Sequence, residues 1–394
     1  MRVLFLTGEF PSMQGGVGDY THALGAALVA LGVDVHVLTS QQAGPSHLIP
    51  PGVDNMYPEV DSWSWGLAKQ VRTLAHAIEA DILHIQYQSA AYNLHPAVNL
   101  LPRGLHGSPW PRHVVTTFHD LRVPYLFPKA GPLRWRANLE LARQSDRAIV
   151  TNAEDFRRLR PIGDLAGRLV EIPIGANIQP GPPAGYDRTT QRARWGVGPD
   201  DLLLCYFGFL NDSKGGEELM LATARLAEAG LPVHLLMIGG QLGASDPTNA
   251  AYLQRVQALI IAQGIADRVH WTGFTGEAEV SANLLASDIA VLPYQDGVSF
   301  RRGSLMACLA HGLPIVSTRP AVVVPELAQG ENIWLVPAGS PQGLADGIQT
   351  LWRDVTLRQR LGEGARRLAS DFTWDAIAQR HVQVYEDLLL EALP

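Results

Sequence analysis

Short, nearly continuous apolar runs alternate along the chain with longer stretches whose apolar residues recur every three or four positions. Residues 3–7 form the first run, and a glycine-containing turn, 8–20, follows it. Ala23, Leu24, Ala27, Leu28 and Leu31 then fall at helical spacing, and 33–38 is a second run. Short apolar runs suit strands buried on both faces, and the helical stretch between them suits a crossover, so this is a βαβ unit with parallel strands. The pattern repeats. Runs at 81–86, 114–118, 148–151 and 170–174 predict further strands, with Gln86, His119 and Asp120, Asn152 and Glu154, and a turn reaching Asn177 at their ends.

Between 179 and 200 the composition changes. Pro180, Pro182, Pro183, Gly185 and Pro199 predict a linker without regular structure. A second series follows, with strands at 202–208, 233–238, 269–272, 289–293 and 315–317. Helices are predicted at 217–228 and 304–310, the latter stopped by His311, Gly312 and Pro314. Helical spacing also fills 341–361, 362–368 and 376–389, with Thr373 or Asp375 as a cap for the last. The fold class is therefore α/β, with two doubly wound, Rossmann-like domains. The predicted boundaries are 1–178, a linker at 179–200, 201–374, and a C-terminal helix at 375–394.

At 394 residues the chain is too long for one ordinary core, which agrees with two domains. A net charge of −7 argues against general nucleic-acid binding. Cys205 and Cys308 lie in apolar runs and read as small buried hydrophobes, which suits a reducing compartment. The apolar start of the chain is too short for a signal peptide, and no stretch has the roughly 20 apolar residues of a membrane span. These features predict a cytoplasmic protein.

The candidate chemistry lies at strand ends, which line the ligand crevice of doubly wound sheets. The loop from Asp296 to Gly303 joins a strand to a helix N-terminus and carries Arg301 and Arg302. Free backbone N–H groups, the helix dipole and guanidinium groups together suit a diphosphate, although the same pattern also describes a plain turn with solvated arginines. Lys214 sits at an equivalent place after strand 202–208. Gly15, Gly16 and Gly18 follow the first strand, but their spacing is not the dinucleotide fingerprint.

Taken in order, Gly15-Gly16-Val17-Gly18, His119-Asp120, the turn ending at Asn177, Lys214-Gly215, Gly273-Phe274-Thr275, the loop running to His311-Gly312, Pro325-Glu326-Leu327 and Phe372-Thr373-Trp374 resemble the retaining glycosyltransferases of family 4. The resemblance covers nearly the whole chain. It implies the GT-B fold, with two Rossmann-like domains facing a cleft and the last helix crossing back to the N-terminal domain. It further implies that a sugar moves from a nucleotide-sugar donor to a hydroxyl acceptor, without a metal or other cofactor. By that resemblance Gly16, Lys214 and Gly215 hold the donor diphosphate and His119 lies near the donor sugar.

The sequence also departs from the family. Phe209 stands where many members carry an arginine, and the usual pair of glutamates is missing. One register puts Ser299 and Ala307 in their places, and a second puts Asp296 and Ser304 there. The second is preferred, because Asp296-Gly297-Val298-Ser299 also resembles the donor-sugar loop of trehalose-phosphate synthases. The implied donor-sugar contacts are then His119, Asp296, Gly297, Val298 and Ser299. The diphosphate contacts extend to Arg301, Arg302, Gly303 and Ser304, with one of the arginines replacing the cation lost at Phe209. The nucleoside contacts are Gly273, Phe274 and Ser304, and the catalytic set is His119, Lys214 and Asp296. The implied acceptor is a glycan or lipid-linked, in cell-surface polysaccharide synthesis, with peripheral membrane contact near Lys129 to Arg136 beside Leu126, Phe127 and Trp135. The alternatives are a non-catalytic GT-B protein that binds a nucleotide or glycan, and a GT-B sugar-nucleotide epimerase.

Overall fold

A computed structural model describes residues 1–13, 15–44, 52–53, 55–121, 131–240 and 247–391. The chain divides into two units, Met1–Gly175 with Thr373–Pro394, and Ala176–Phe372. The first contains β1 (Arg2–Thr7), α1 (Gly16–Ala30), β2 (Asp34–Ser40), β3 (Asn55–Val60), α2 (Leu67–Ala77) and β4 (Ile82–Tyr87). It continues with α3 (Leu101–Leu105), β5 (His113–Phe118), α4 (Gly131–Gln144), β6 (Arg147–Val150), α5 (Ala153–Leu159) and β7 (Leu169–Glu171). Its sheet runs β3-β2-β1-β4-β5-β6-β7, with every neighbouring pair parallel.

The second unit contains α6 (Arg188–Ala193), β8 (Leu202–Phe207), α7 (Gly216–Glu228), β9 (Val233–Ile238), α8 (Pro247–Ala262), β10 (Val269–Trp271) and α9 (Glu277–Ala286). After them come β11 (Ile289–Leu292), α10 (Gly303–Ala310), β12 (Ile315–Thr318), β13 (Trp334–Val336), α11 (Pro341–Arg353) and α12 (Val355–Ala369). This sheet runs β10-β9-β8-β11-β12-β13, also parallel throughout. The last helix, α13 (Trp374–Glu391), belongs to the first unit.

Side-chain alternation explains why the central strands read as unbroken apolar runs. In the first unit Leu4, Leu6, Leu83 and Ile85 pack on one side of the sheet, against Val71, Leu101 and Leu141. Val3, Phe5, Ile82 and Val115 pack on the other, against Leu24 and Leu28 of α1 and Ile377 and Tyr385 of α13. In both sheets the strand order reverses beside the first strand, between β1 and β4 and between β8 and β11. Ligands bind at this switch point in open α/β sheets, outside the C-terminal strand ends.

Three sequence expectations need correction. The stretch 179–200 is not an unstructured linker but contains α6. Its prolines flank the helix instead of entering it, and Asp187 caps it by accepting the Thr190 N–H at 2.8 Å. Arg192 of α6 is buried, donating to Asp288 at 2.9 Å and to the carbonyls of Ala286, Gly198 and Asp201, so this segment is part of the second unit's core. The boundary between units falls at Gly175/Ala176 and again at Phe372/Thr373 rather than at 178 and 374. The helix predicted at 341–361 is broken at Asp354, whose side chain caps α12 by accepting the Leu357 N–H at 2.8 Å. Gly362 lies inside α12, and glycine is required there because the Gly312 carbonyl packs where a Cβ would be.

Candidate functional site

In the second unit the switch point is built from two loops. The first follows β8, and Asn211 shapes it by accepting the Ser213 N–H, which leads into a short 3-10 turn ending at Lys214. Gly215 then takes φ 70° as the N-cap of α7 and has no side chain to cap it, and the Tyr252 hydroxyl accepts the Glu217 N–H at 3.2 Å. A Cβ on Gly215 would overlap the Pro293 carbonyl, so glycine is required here both by its backbone angle and by its neighbour. The Gln295 N–H donates to Ser213 O at 2.9 Å and ties this loop to the end of β11.

The second loop follows β11 and ends at α10, whose N-terminus also lacks a side-chain cap. Tyr294, fully buried, lies between the two loops. The Lys214 Nζ sits 5.2 Å from its ring centroid and the Arg302 Cζ 4.8 Å, and its hydroxyl is 2.7 Å from Ser304 Oγ. Arg301 donates to Asp296 Oδ2 at 3.0 Å, and Arg302 donates to Asp296 Oδ1. Burial, with Arg302 and Arg301 nearby, pushes the Lys214 ammonium down to about 7, against the opposing pull of Asp296.

The structure therefore brings Lys214, Asp296, Arg301, Arg302 and Ser304 together around Tyr294. The Asp296 oxygens lie on the two arginines, so in this structure the carboxylate is their counter-ion. Gly297 has φ 82° and abuts the backbone of 319–321, Val298 is buried, and Ser299 Oγ is buried without a partner among the described residues. Gly303 is the first residue of α10 and is exposed. Phe209, 47 % exposed, ends the first loop's approach, its carbonyl accepting from the Tyr206 hydroxyl at 3.0 Å. Gly273 follows the edge strand β10 and bridges Gly239, which lies against Gly208 at the end of β8, while Phe274 is 77 % exposed. Sequence reasoning missed Tyr294. Its one trace is an aromatic residue placed directly after a buried strand.

The first unit's switch point is different in character. Gly16 opens α1, and Gly15, in extended conformation, precedes it. Glu9 lies at this helix start with the Gly18 N–H pointing at its carboxylate; burial and Asp19 together hold its pKa up. His119 follows β5. Its Nε2 is 2.9 Å from Gln86 Oε1, and the Tyr20 ring meets its ring edge-on at 4.6 Å. Burial, with His381 nearby, pushes His119 down to about 3, so it is neutral at ordinary pH. A cavity of about 190 Å³ near the end of β4 is lined by Tyr87, Ser89, His95, Asn99, Arg134 and Asn138, among others. There Tyr87 donates to Asn138 at 2.8 Å and accepts from Asn99 at 2.9 Å.

Of the stretch expected to touch a membrane, Leu126, Phe127, Lys129 and Ala130 lie outside the described residues. Trp135 packs partly into the unit's core, under the Arg158 guanidinium at 4.0 Å, while Leu133 is exposed. Among the described residues no helix is long and apolar enough to cross a membrane, and no group of three or more His, Cys, Asp or Glu is placed to hold a metal ion.

Residues 15–175 match the family described as glycosyl transferase 4-like domain, and residues 201–354 the family described as glycosyl transferases group 1. The D-inositol 3-phosphate glycosyltransferase of Corynebacterium diphtheriae is 28 % identical over 324 residues, covering 79 % of this chain and 72 % of that one. Its namesake from Corynebacterium efficiens is 27 % identical over 424 residues, covering 98 % and 95 %. The crystal structure of Anabaena HepE in complex with UDP-glucose superposes with a TM-score of 0.74 at 20 % identity, covering 100 % of each chain. With both halves matched, in order, to glycosyltransferase families and both sheets doubly wound, the chain belongs to the group 1, family 4-type glycosyltransferases of GT-B fold.

Proposed function

We propose that this enzyme transfers a sugar from a nucleotide-sugar donor to a hydroxyl acceptor with retention of anomeric configuration, using protein cations and no resident metal. One observation carries this reading. Lys214 and Arg302 converge on Tyr294 at the switch point of the second sheet, beside the start of α7 and the N-terminus of α10, whose N-cap residue makes no side-chain capping bond. As the glycosidic bond to the donor breaks, negative charge grows on the departing diphosphate. Ammonium, guanidinium and backbone N–H groups fixed beforehand stabilise that charge without having to reorganise. HepE, a protein of the same fold, is solved with UDP-glucose, which supports a donor of this chemistry.

In this reading Arg302 replaces the cation absent at Phe209. Asp296 holds the arginines in place and meets the donor sugar together with Gly297, Val298 and Ser299. Gly16, Gly215, Gly303 and Ser304 offer backbone N–H groups to the diphosphate, and Gly273 and Phe274 meet the base. Neutral His119 accepts a hydrogen bond from a hydroxyl of the donor sugar, and the rest of the first unit takes the acceptor, with the cavity beside Tyr87 holding acceptor hydroxyls. The acceptor is a glycan or a lipid-linked sugar of cell-surface polysaccharide synthesis, reached by peripheral contact through the start of α4. The curated relatives are named for a phosphorylated inositol, which makes a small phosphorylated polyol the second acceptor class to try.

The test is thermal stabilisation of the purified protein by UDP, GDP, dTDP and ADP, with Lys214→Ala as control. A nucleotide at about a hundred times its dissociation constant adds roughly 2.7 kcal/mol to stability. We expect one base to stabilise the wild type and not the mutant. A shift that survives in Lys214→Ala would place the diphosphate elsewhere.

A further inference from the structure

Gln86 ends β4 fully buried, beside Thr7 on β1 and Thr117 on β5 in register. Alternation puts His84, Gln86, Thr117 and His119 on one face of the sheet, the face covered by α1 and α13. That face is apolar at its N-terminal end and becomes a polar layer toward the strand ends. His84 lies between the Tyr385 hydroxyl at 2.6 Å and Thr117 Oγ1 at 2.7 Å. His381 Nδ1 is 2.8 Å from the Ile377 carbonyl, which can only accept, so Nδ1 carries the proton and Nε2 faces the Tyr20 hydroxyl at 3.4 Å. Gln86 Oε1 is 2.9 Å from His119 Nε2, while Gln86 Nε2 is buried without a partner among the described residues.

An unpartnered buried carboxamide is a cost that an apolar side chain of similar volume would avoid. Among the described residues, the bond its side chain makes in return is to His119. A carboxamide oxygen accepts and cannot donate, so this bond requires the proton on Nε2 and leaves Nδ1 as a bare acceptor. We propose that Gln86 is a positioning residue, which locks His119 in the Nε2-protonated tautomer so that Nδ1 can accept a hydrogen bond from a hydroxyl of the bound substrate. The inference rests on the reading of His119 as a substrate contact. Burial and His381 keep His119 neutral, in agreement with an acceptor role. The titratable groups around it are Tyr20 from α1, His381 from α13 and His84 from β4, with Asp120 next in the chain.

The experiment is nitrogen NMR of the full-length protein labelled at histidine, with the His119 signals assigned by their loss in His119→Asn. In the wild type we expect a protonated Nε2 and an unprotonated Nδ1, unchanged from about pH 5 to 9. Gln86→Met keeps the volume and removes the acceptor. It should unfold no lower in temperature than the wild type, lose the fixed tautomer, and lower kcat/KM about tenfold, the size of one directed hydrogen bond. Gln86→Glu restores an acceptor, should restore the tautomer, and gives His119 a counter-charge, so its ring should now titrate within that pH range and bring a matching limb to the pH–rate profile. A wild-type Nδ1–H signal overturns the proposal even if neither variant folds. So does Gln86→Met with tautomer and rate unchanged. If the tautomer is as assigned but His119→Ala turns over at the wild-type rate, Gln86 has nothing to position and the proposal falls. The donor-site reading is then untouched, because it rests on nucleotide binding at Lys214.

Discussion

The two switch points share a topology and differ in charge. Each lies where strand order reverses, and each has a loop running into a helix N-terminus, the positive end of the helix dipole. In the first unit that end is already answered. Glu9 receives the Gly18 N–H, Asp19 lies in the first turn of α1, and His84, His119 and His381 are held neutral by burial. In the second unit the Tyr252 hydroxyl accepts the Glu217 N–H of α7 and Glu217 and Glu218 lie in its first turn, but Lys214, Arg301 and Arg302 are added beside α7 and α10, with Asp296 as counter-ion. Burial first, and then repulsion from Arg302 and Arg301, lowers the proton affinity of Lys214. The same fold thus carries neutral imidazoles at one switch point and a cation cluster at the other.

The largest effects should fall on the cationic side. Arg302→Met should lower kcat/KM on the order of a hundredfold or more, the usual cost of removing a group that stabilises developing charge. Arg301→Met should cost about tenfold or less, because Arg301 pairs with Asp296, whereas Arg302 pairs with Asp296 and also lies over Tyr294 beside Lys214. Glu9→Gln, which removes a charge from the other switch point, should change kcat/KM only a few-fold. Steady-state kinetics of the three variants decides it. Equal losses at Glu9 and Arg302 would mean that the contrast in charge has no functional content.

The parts of the chain that could be read in advance were those whose local pattern is forced. Central strands such as β1 and β8 are buried on both faces and must be apolar throughout. The edge strand β3 is not, and Asn55, Pro58 and Glu59 hide it. β13 is too short to show any period. The helix at 188–193 was masked by prolines that turn out to flank it. Lys214 and the Arg301–Arg302 loop stood out because a strand, a loop and a helix start are consecutive in sequence. Tyr294 and Gln86 did not, because their partners are set by which strands lie side by side. Nothing near Gln86 in sequence indicates that β5 is its neighbour and His119 its partner.

Burial of Lys214 beside the second unit's arginines also predicts a pH effect of moderate size. Lys214 titrates at about 7 in the folded protein and at 10.5 as a free side chain. Above about 7 the unliganded site is therefore mostly short of one proton, and a bound diphosphate should restore it. Nucleotide affinity should be flat below that pH and fall by up to about tenfold per unit above it, with proton uptake on binding. For folding the sign is opposite. Between about 7 and 10.5 the unfolded chain holds a proton that the native chain lacks, so this group makes stability rise with pH there, and its cost is fully present below 7. Calorimetric titration in two buffers of different ionisation enthalpy measures the uptake. Lys214→Arg keeps the charge at all these values and should abolish it, whereas uptake that persists in this variant belongs to another group.

The smallest effect separates two reasons for a glycine. Gly215 is demanded by the fold, since its φ of 70° and the Pro293 carbonyl leave no place for a Cβ. Gly215→Ala should destabilise by about 1 kcal/mol or more from the backbone alone. Gly16 carries no such demand: its backbone lies outside the left-handed region, and a Cβ there meets nothing within 4 Å. Gly16→Ala should keep or slightly raise the melting temperature, because alanine loses less chain entropy on folding. If glycine is there so that a ligand can approach the start of α1, the same change should raise the donor KM several-fold. A raised KM at unchanged stability would give the first unit's turn a ligand contact that its fold does not require. With KM also unchanged, Gly16 serves neither folding nor binding, and the donor contact assigned to that turn has to be sought elsewhere in the unit, while the cation cluster around Tyr294 keeps its own evidence.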